Sequence, residues 1–274
     1  MPFAPVEGCR LHYRLDGKQG LPVLVLSNSL GADLSMWDAQ MPAFTQHFRV
    51  LRYDSYGHGA STFSVRENKI DVLGKDVVRL LDHLGIATVS FCGLSVGGLI
   101  GQWLALHAGE RLAKLVLCST AACIGTVEGW NARIEDVRQG GIPSISQAIL
   151  ERWFTAPFHQ REPDTVDHFR KILEATPRES YIATSVAIRD ADFRAEISRI
   201  RTKTLVIAGT QDRATPPEGG CFLAERIIGS QYVELDAAHL SNVELAQLFS
   251  EEALKFLVSQ EENPRTSMCG PQTG

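Results

Sequence analysis

Thr88-Val89-Ser90-Phe91-Cys92 runs straight into Gly93-Leu94-Ser95-Val96-Gly97, and a largely apolar stretch continues from Val96 to His107. The first five residues read as a buried strand and the stretch from Val96 as a helix, which makes the pentapeptide the turn between them. A G-x-S-x-G turn in that position forces its central residue into a strained backbone conformation and leaves Ser95 Oγ standing at the top of the sheet. Small residues at 93 and 97 let the backbones pass closely. The same five residues would also serve as an ordinary tight β–α turn, and the strand–turn–helix context is what gives the serine its weight.

The rhythm around this turn repeats in both directions. Val23-Leu24-Val25-Leu26 and Phe48 to Tyr53 read as strands upstream, followed by a helix with Ile70, Leu73, Val77, Leu80, Leu81 and Leu84 on one face and Gly85 closing it. Leu115 to Cys118, Lys203 to Ala208 and Gln231 to Leu235 read as strands downstream, and Leu245, Leu248, Phe249, Ala253, Phe256 and Leu257 recur at helical spacing near the end. Between about 123 and 195 no strand is evident. That stretch carries Trp130, Trp153, Phe154, Phe158 and Phe169. Strands alternating with helices predict an α/β fold with a mostly parallel central sheet flanked by helices. The expected organisation is a core in two parts (1–122 and 196–260), a helical cap insertion (123–195) and a loose polar tail (261–274).

Composition narrows the function. A chain of 274 residues, 44% hydrophobic and 22% charged, is long enough for a substantial core and unlike a disordered or fibrous sequence. The net charge of −5 and the lack of a basic run argue against a nucleic-acid partner. No run of 18 apolar residues suggests a membrane span, and Met1 to Glu7 has neither the basic nor the apolar part of a secretory signal. The six cysteines are scattered without a C-x-x-C spacing, as reduced core thiols would be. The expectation is a cytoplasmic protein acting on a small molecule, with no metal and no cofactor.

A nucleophilic serine needs a base, and the base an orienting carboxylate. Asp212 opens the loop after the strand ending at Ala208, and His239 follows the strand ending at Leu235. Both positions lie at strand C-termini, where an open α/β sheet places its crevice. Asp236 is the rival acid, but it stands only three residues before the histidine and suits a turn. His58, in Gly57-His58-Gly59, precedes the serine and suits a structural loop. An oxyanion needs two backbone donors. Val96 follows the serine, and Leu30 lies in the early loop Ser27-Asn28-Ser29-Leu30-Gly31. Asn28 and Ser29 serve either as turn residues or as pocket wall.

Ser27 to Gly31, Phe91 to Gly98, Ile124-Gly125-Thr126-Val127-Glu128-Gly129-Trp130-Asn131-Ala132-Arg133, Glu151-Arg152-Trp153-Phe154 and Gly209 to Pro217 resemble the α/β-hydrolase superfamily over roughly residues 8 to 258. Within it they resemble the 3-oxoadipate enol-lactonases of aromatic catabolism, the segment around Trp130 being the most discriminating. One departure is Asp54-Ser55-Tyr56-Gly57-His58-Gly59, with tyrosine where such hydrolases usually carry arginine. The resemblance implies a triad of Ser95, Asp212 and His239 opening a lactone with an acetate arm. A cap arginine should hold the arm's carboxylate, Arg133 first, then Arg138 and Arg152, with Trp130 and Trp153 walling the pocket or simply packing cap on core. A C–C bond hydrolase of ring-cleavage products, a general carboxylesterase and a non-catalytic receptor on the same scaffold remain alternatives, separated by cap shape and by turnover.

Overall fold

The computed structural model describes residues 2–64 and 68–259; the expected tail at 261–274 lies outside them. The strands are β1 (Phe3–Val6), β2 (Cys9–Asp16), β3 (Val23–Ser27), β4 (Arg49–Tyr53), β5 (Val89–Leu94), β6 (Leu112–Cys118), β7 (Thr204–Gly209) and β8 (Gln231–Leu235). The helices are α1 (Met41–Phe44), α2 (Ile70–His83), α3 (Val96–His107), α4 (Val127–Gly140), α5 (Pro143–Trp153), α6 (Ala156–Arg161), α7 (Pro163–Ala175), α8 (Arg178–Arg189), α9 (Pro217–Arg226), α10 (Ser241–Glu244) and α11 (Ala246–Val258).

The sheet order is β1-β2-β4-β3-β5-β6-β7-β8, antiparallel at β1–β2 and β2–β4 and parallel from β4 onward. The central parallel strands β5 and β7 are buried at every position, as strands covered on both faces must be. Helix α2 buries a stripe (Ile70, Leu73, Val77, Leu80 and Leu81), whereas α3 is buried along Val96–Leu104 because it packs both on β5–β6 and under α2. The order reverses at β3, with β4 on one side and β5 on the other. Such a switch point opens a crevice at the strand C-termini. The loop after β3 and the turn after β5 border it.

Five helices, α4 to α8, lie between β6 and β7 and pack largely on one another, α4 on α5 and α8, and α5 on α7. Two expectations need correction. Leu248 does not join the buried face of the last helix; it is 42% exposed. Leu245 leaves helical geometry (φ −125°, ψ 51°) and splits the segment into α10 and α11, which resets the phase of the apolar stripe. The hairpin β1–β2 also extends the sheet beyond the parallel strands legible upstream. Among the described residues no helix is long and apolar enough to cross a membrane.

Tyr56, the residue in the arginine position, is buried, packs at a tilt against Phe63 (centroids 5.4 Å apart) and donates its hydroxyl to the Ser64 carbonyl. Asp54 needs no guanidinium there. It accepts from the backbone N–H of Leu34 (2.8 Å) and of Ala60 (2.9 Å) and pairs with His12 Nδ1 (2.7 Å).

Candidate active site

Ser95 sits between β5 and α3 at φ 60°, ψ −115°, a left-handed backbone that a non-glycine residue adopts only under constraint. The constraint is visible. Ser95 N–H donates to the Cys118 carbonyl (2.9 Å), and Thr120 Oγ1 donates to the Ser95 carbonyl (2.8 Å). The turn is too tight for side chains at its flanks: a Cβ on Gly93 would lie 2.1 Å from the Gly97 carbonyl oxygen, and one on Gly97 would lie 2.4 Å from that of Ser27. These contacts are why the pentapeptide needs glycine at both ends.

Asp212 and His239 come from the loops after β7 and β8 and are both buried. His239 Nδ1 lies 2.8 Å from Asp212 Oδ2, which also accepts from Thr215 Oγ1 (2.6 Å). The other carboxylate oxygen accepts from the N–H of Ala214 (2.8 Å) and Thr215 (2.9 Å). Burial alone would raise the Asp212 pKa, but the neighbouring imidazole's charge and hydrogen bond, with the bonds from Thr215, outweigh it and hold the carboxyl below its ordinary range. The rival Asp236 bonds Thr210 Oγ1 (3.2 Å) and Gln211 Nε2 (2.8 Å) instead.

Ser95, His239, Ser29 and Leu30 face one cavity of about 550 Å³. Ser95 Oγ and His239 Nε2 are not in hydrogen-bonding geometry with each other; the ring nitrogen makes a long contact of 3.5 Å to Ser29 Oγ. Catalytic bonds of this kind commonly tighten only when substrate is bound. Val96 opens α3, so its N–H has no partner inside the helix. The Leu30 N–H has no protein acceptor among the described residues.

The remaining candidates divide. Trp130, Trp153, Arg133 and Arg152 line the cavity. Trp130 is fixed by donating Nε1–H to the Ile124 carbonyl (2.6 Å), and the Arg133 guanidinium stacks 4.7 Å over its ring. Arg138 does not reach the cavity; it is exposed and paired with Glu135 at 3.6 Å. Asn28, a turn or a wall residue on its sequence, does not line the cavity either. Its Nδ2 donates to the Tyr53 carbonyl (2.9 Å) and its Oδ1 accepts from Trp37 Nε1 (3.0 Å), so the amide stitches β3 to its neighbours. Arg213 and Tyr181 also line the cavity, and no motif in the sequence marks either one for it.

The histidine loop is clamped by the helical insertion. His239 N–H donates to the Arg152 carbonyl (3.3 Å) and Leu240 N–H to that of Trp153 (3.0 Å). Buried Glu244 completes the clamp. It accepts from the N–H of Ala238 (3.0 Å) and of Thr155 (3.3 Å) and from the Thr155 hydroxyl. Glu244→Ala would strand three donors and is expected to cost about 3 kcal/mol, whereas Glu244→Gln should keep part of that. Urea unfolding checks this; an unchanged midpoint for the alanine variant would reject the clamp.

The strand order, with Ser95 on the strained turn after β5 and the buried Asp212–His239 pair on the last two strand ends, is the arrangement of an α/β-hydrolase fold. A profile of the alpha/beta hydrolase fold matches residues 22–140. The chain is 43% identical to 3-oxoadipate enol-lactonase 2 of Acinetobacter baylyi over 88% of its length and 90% of that protein, and 35% identical to enol-lactonase 1 of the same organism over 89% and 91%. The crystal structure of an enol-lactonase from Burkholderia xenovorans LB400 superposes with a TM-score of 0.93 at 45% identity, covering 94% of this chain and all of that one. The chain belongs to the 3-oxoadipate enol-lactonase family.

Proposed function

We propose that this enzyme hydrolyses 3-oxoadipate enol-lactone to 3-oxoadipate in the breakdown of aromatic compounds, through an acyl-enzyme on Ser95. The observation that carries the reading is the convergence of Ser95, the Asp212–His239 pair and an arginine-bearing wall on one cavity, in a chain of this family. His239 Nε2 takes the Ser95 proton as Oγ attacks the ring carbonyl. The Leu30 and Val96 N–H groups hold the oxyanion. The ring C–O bond then breaks, the enolate leaves and takes the proton from His239, and the enol tautomerises to the ketone. An enolate is a better leaving group than an alkoxide, so this step asks little of the acid. Water, deprotonated by His239, attacks the acyl carbon, and Ser95 leaves with that proton. Asp212 holds the imidazole in the tautomer with its proton on Nδ1 and stabilises the cation.

Residues 123–195 act as the cap that supplies the carboxylate-binding wall. Arg133 holds the acetate arm, with Trp130 fixing the guanidinium and Trp153 closing the apolar side. The enzyme works in the cytoplasm, where free thiols such as Cys92 and Cys118 stay reduced.

The test is direct. Purified protein mixed with freshly generated enol-lactone should remove its absorbance with multiple turnovers and release one proton per lactone, beside slower hydrolysis of a neutral aryl ester. At most one turnover would point to a receptor on the same scaffold and overturn the reading. Arg133→Ala is expected to raise KM for the lactone roughly 10- to 100-fold, the worth of one charge-assisted hydrogen bond, while moving KM for the neutral ester less than twofold. Equal effects on both substrates would remove Arg133 from the site.

A further inference from the structure

The cavity carries more positive charge than the substrate can use. Three guanidiniums line it, Arg133, Arg152 and Arg213, against one carboxylate, the exposed Asp136. None of the three forms an ion pair among the described residues. Arg133 lies over the face of Trp130, and Tyr181 shares its wall; burial pushes the Tyr181 phenol pKa up, while the charge of Arg133 pulls it back. Arg152 is half-buried, and burial, then the fields of Arg133 and Arg213, lower its pKa. Three guanidiniums thus share the cavity with a single exposed carboxylate, an excess of positive charge that an anionic ligand relieves.

On the reading above, the lactone brings one carboxylate, and Arg133 accounts for it. Hydrolysis creates a second. The scissile carbonyl becomes a carboxylate at Ser95, and a monoanion leaves as a dianion. The two unassigned arginines line the cavity and leave the chain beside the loops that carry Asp212 and His239. Arg213 directly follows Asp212, in the loop whose next two N–H groups bind the Asp212 carboxylate. The Arg152 carbonyl accepts the His239 N–H at 3.3 Å.

We propose that Arg152 and Arg213 form a second anion subsite that receives the carboxylate generated at Ser95, so that the cavity fits an extended dicarboxylate better than the monoanionic lactone. The inference rests on the lactonase reading for its chemistry. Its consequence is that the product and unreactive C6 dicarboxylates bind tightly and inhibit, and that turnover is limited by release of the dianion as substrate is consumed.

The experiment is calorimetric titration of the full-length enzyme with adipate and with hexanoate, which share a chain length and differ by one carboxylate. Adipate is expected to bind at least tenfold more tightly. Arg213→Gln, at an exposed loop position, should cut that ratio below threefold, and Arg213→Lys should restore part of it; Arg152→Gln should act in the same direction. Hexanoate affinity is the internal control, because general damage to the cavity weakens both ligands alike. A wild-type ratio under twofold, or a ratio unmoved by Arg213→Gln, overturns the subsite. Because neither ligand is turned over, absence of lactone hydrolysis would sink the activity reading while leaving this binding ratio to stand or fall by itself.

Discussion

Replacing Ser95 by alanine lowers kcat for the enol-lactone by about 10⁵-fold or more, with the fold and the melting temperature retained. The size follows from what remains: without Oγ there is no acyl-enzyme, and only the cavity and the Leu30 and Val96 N–H groups still act on the carbonyl, a residue of catalysis that in serine hydrolases amounts to a small part of the whole. The fold survives because the backbone at 95 is held by groups that alanine leaves in place, the bonds to Cys118 and Thr120 and the close approach of Gly93 and Gly97. The strain at φ 60° also survives in alanine. Glycine adopts that conformation freely, so Ser95→Gly should be inactive yet more stable than Ser95→Ala by about 1 kcal/mol. Steady-state rates and urea midpoints on the two variants measure both halves. An alanine variant retaining even 1% of the rate would reject covalent catalysis at Ser95.

The elements most legible in the sequence are those whose environment leaves one reading open. Helix α3 and strand β8 begin and end where their residue patterns predict, and the turn between β5 and α3 declares itself because only glycine fits at 93 and 97. The hairpin β1–β2 escapes a search for continuous apolar runs, since its strands are not sandwiched on both faces. Its signal is the other period: Cys9, Leu11, Tyr13 and Leu15 alternate with Arg10, His12, Arg14 and Asp16.

Side-chain roles in the cavity were harder to read, for a different reason. Asn28 can wall a pocket or stitch strands with the same amide, and only the positions of Tyr53 and Trp37 decide. Arg133 and Arg138 lie on one helix, but five residues turn it by about 140°, which carries Arg138 away from the cavity and toward Glu135. Arg213 belongs to no pattern. Its only sequence signal is a basic residue directly after Asp212.

Asp212→Asn is expected to lower kcat by about 10⁴-fold, although it changes one atom. The carboxylate is an acceptor at every contact. One oxygen takes the Ala214 and Thr215 N–H groups, the other the Thr215 hydroxyl and His239 Nδ1. An asparagine must keep its carbonyl oxygen against the two backbone donors, which cannot turn away, so its NH₂ faces His239. The imidazole then presents an unprotonated Nδ1 to that amide and carries its proton on Nε2, where it cannot take the proton of Ser95. The substitution also changes the acid limb of stability. Because the folded carboxyl titrates below its unfolded value of about 3.9, its contribution is full above that pH and is lost as pH falls through the folded pKa. Wild type should therefore lose stability more steeply than the asparagine variant below about pH 4. Urea midpoints between pH 7 and pH 3 test that slope, and kcat at neutral pH tests the tautomer; an asparagine enzyme with a tenth of the wild-type rate would show that His239 is oriented by something other than this carboxylate.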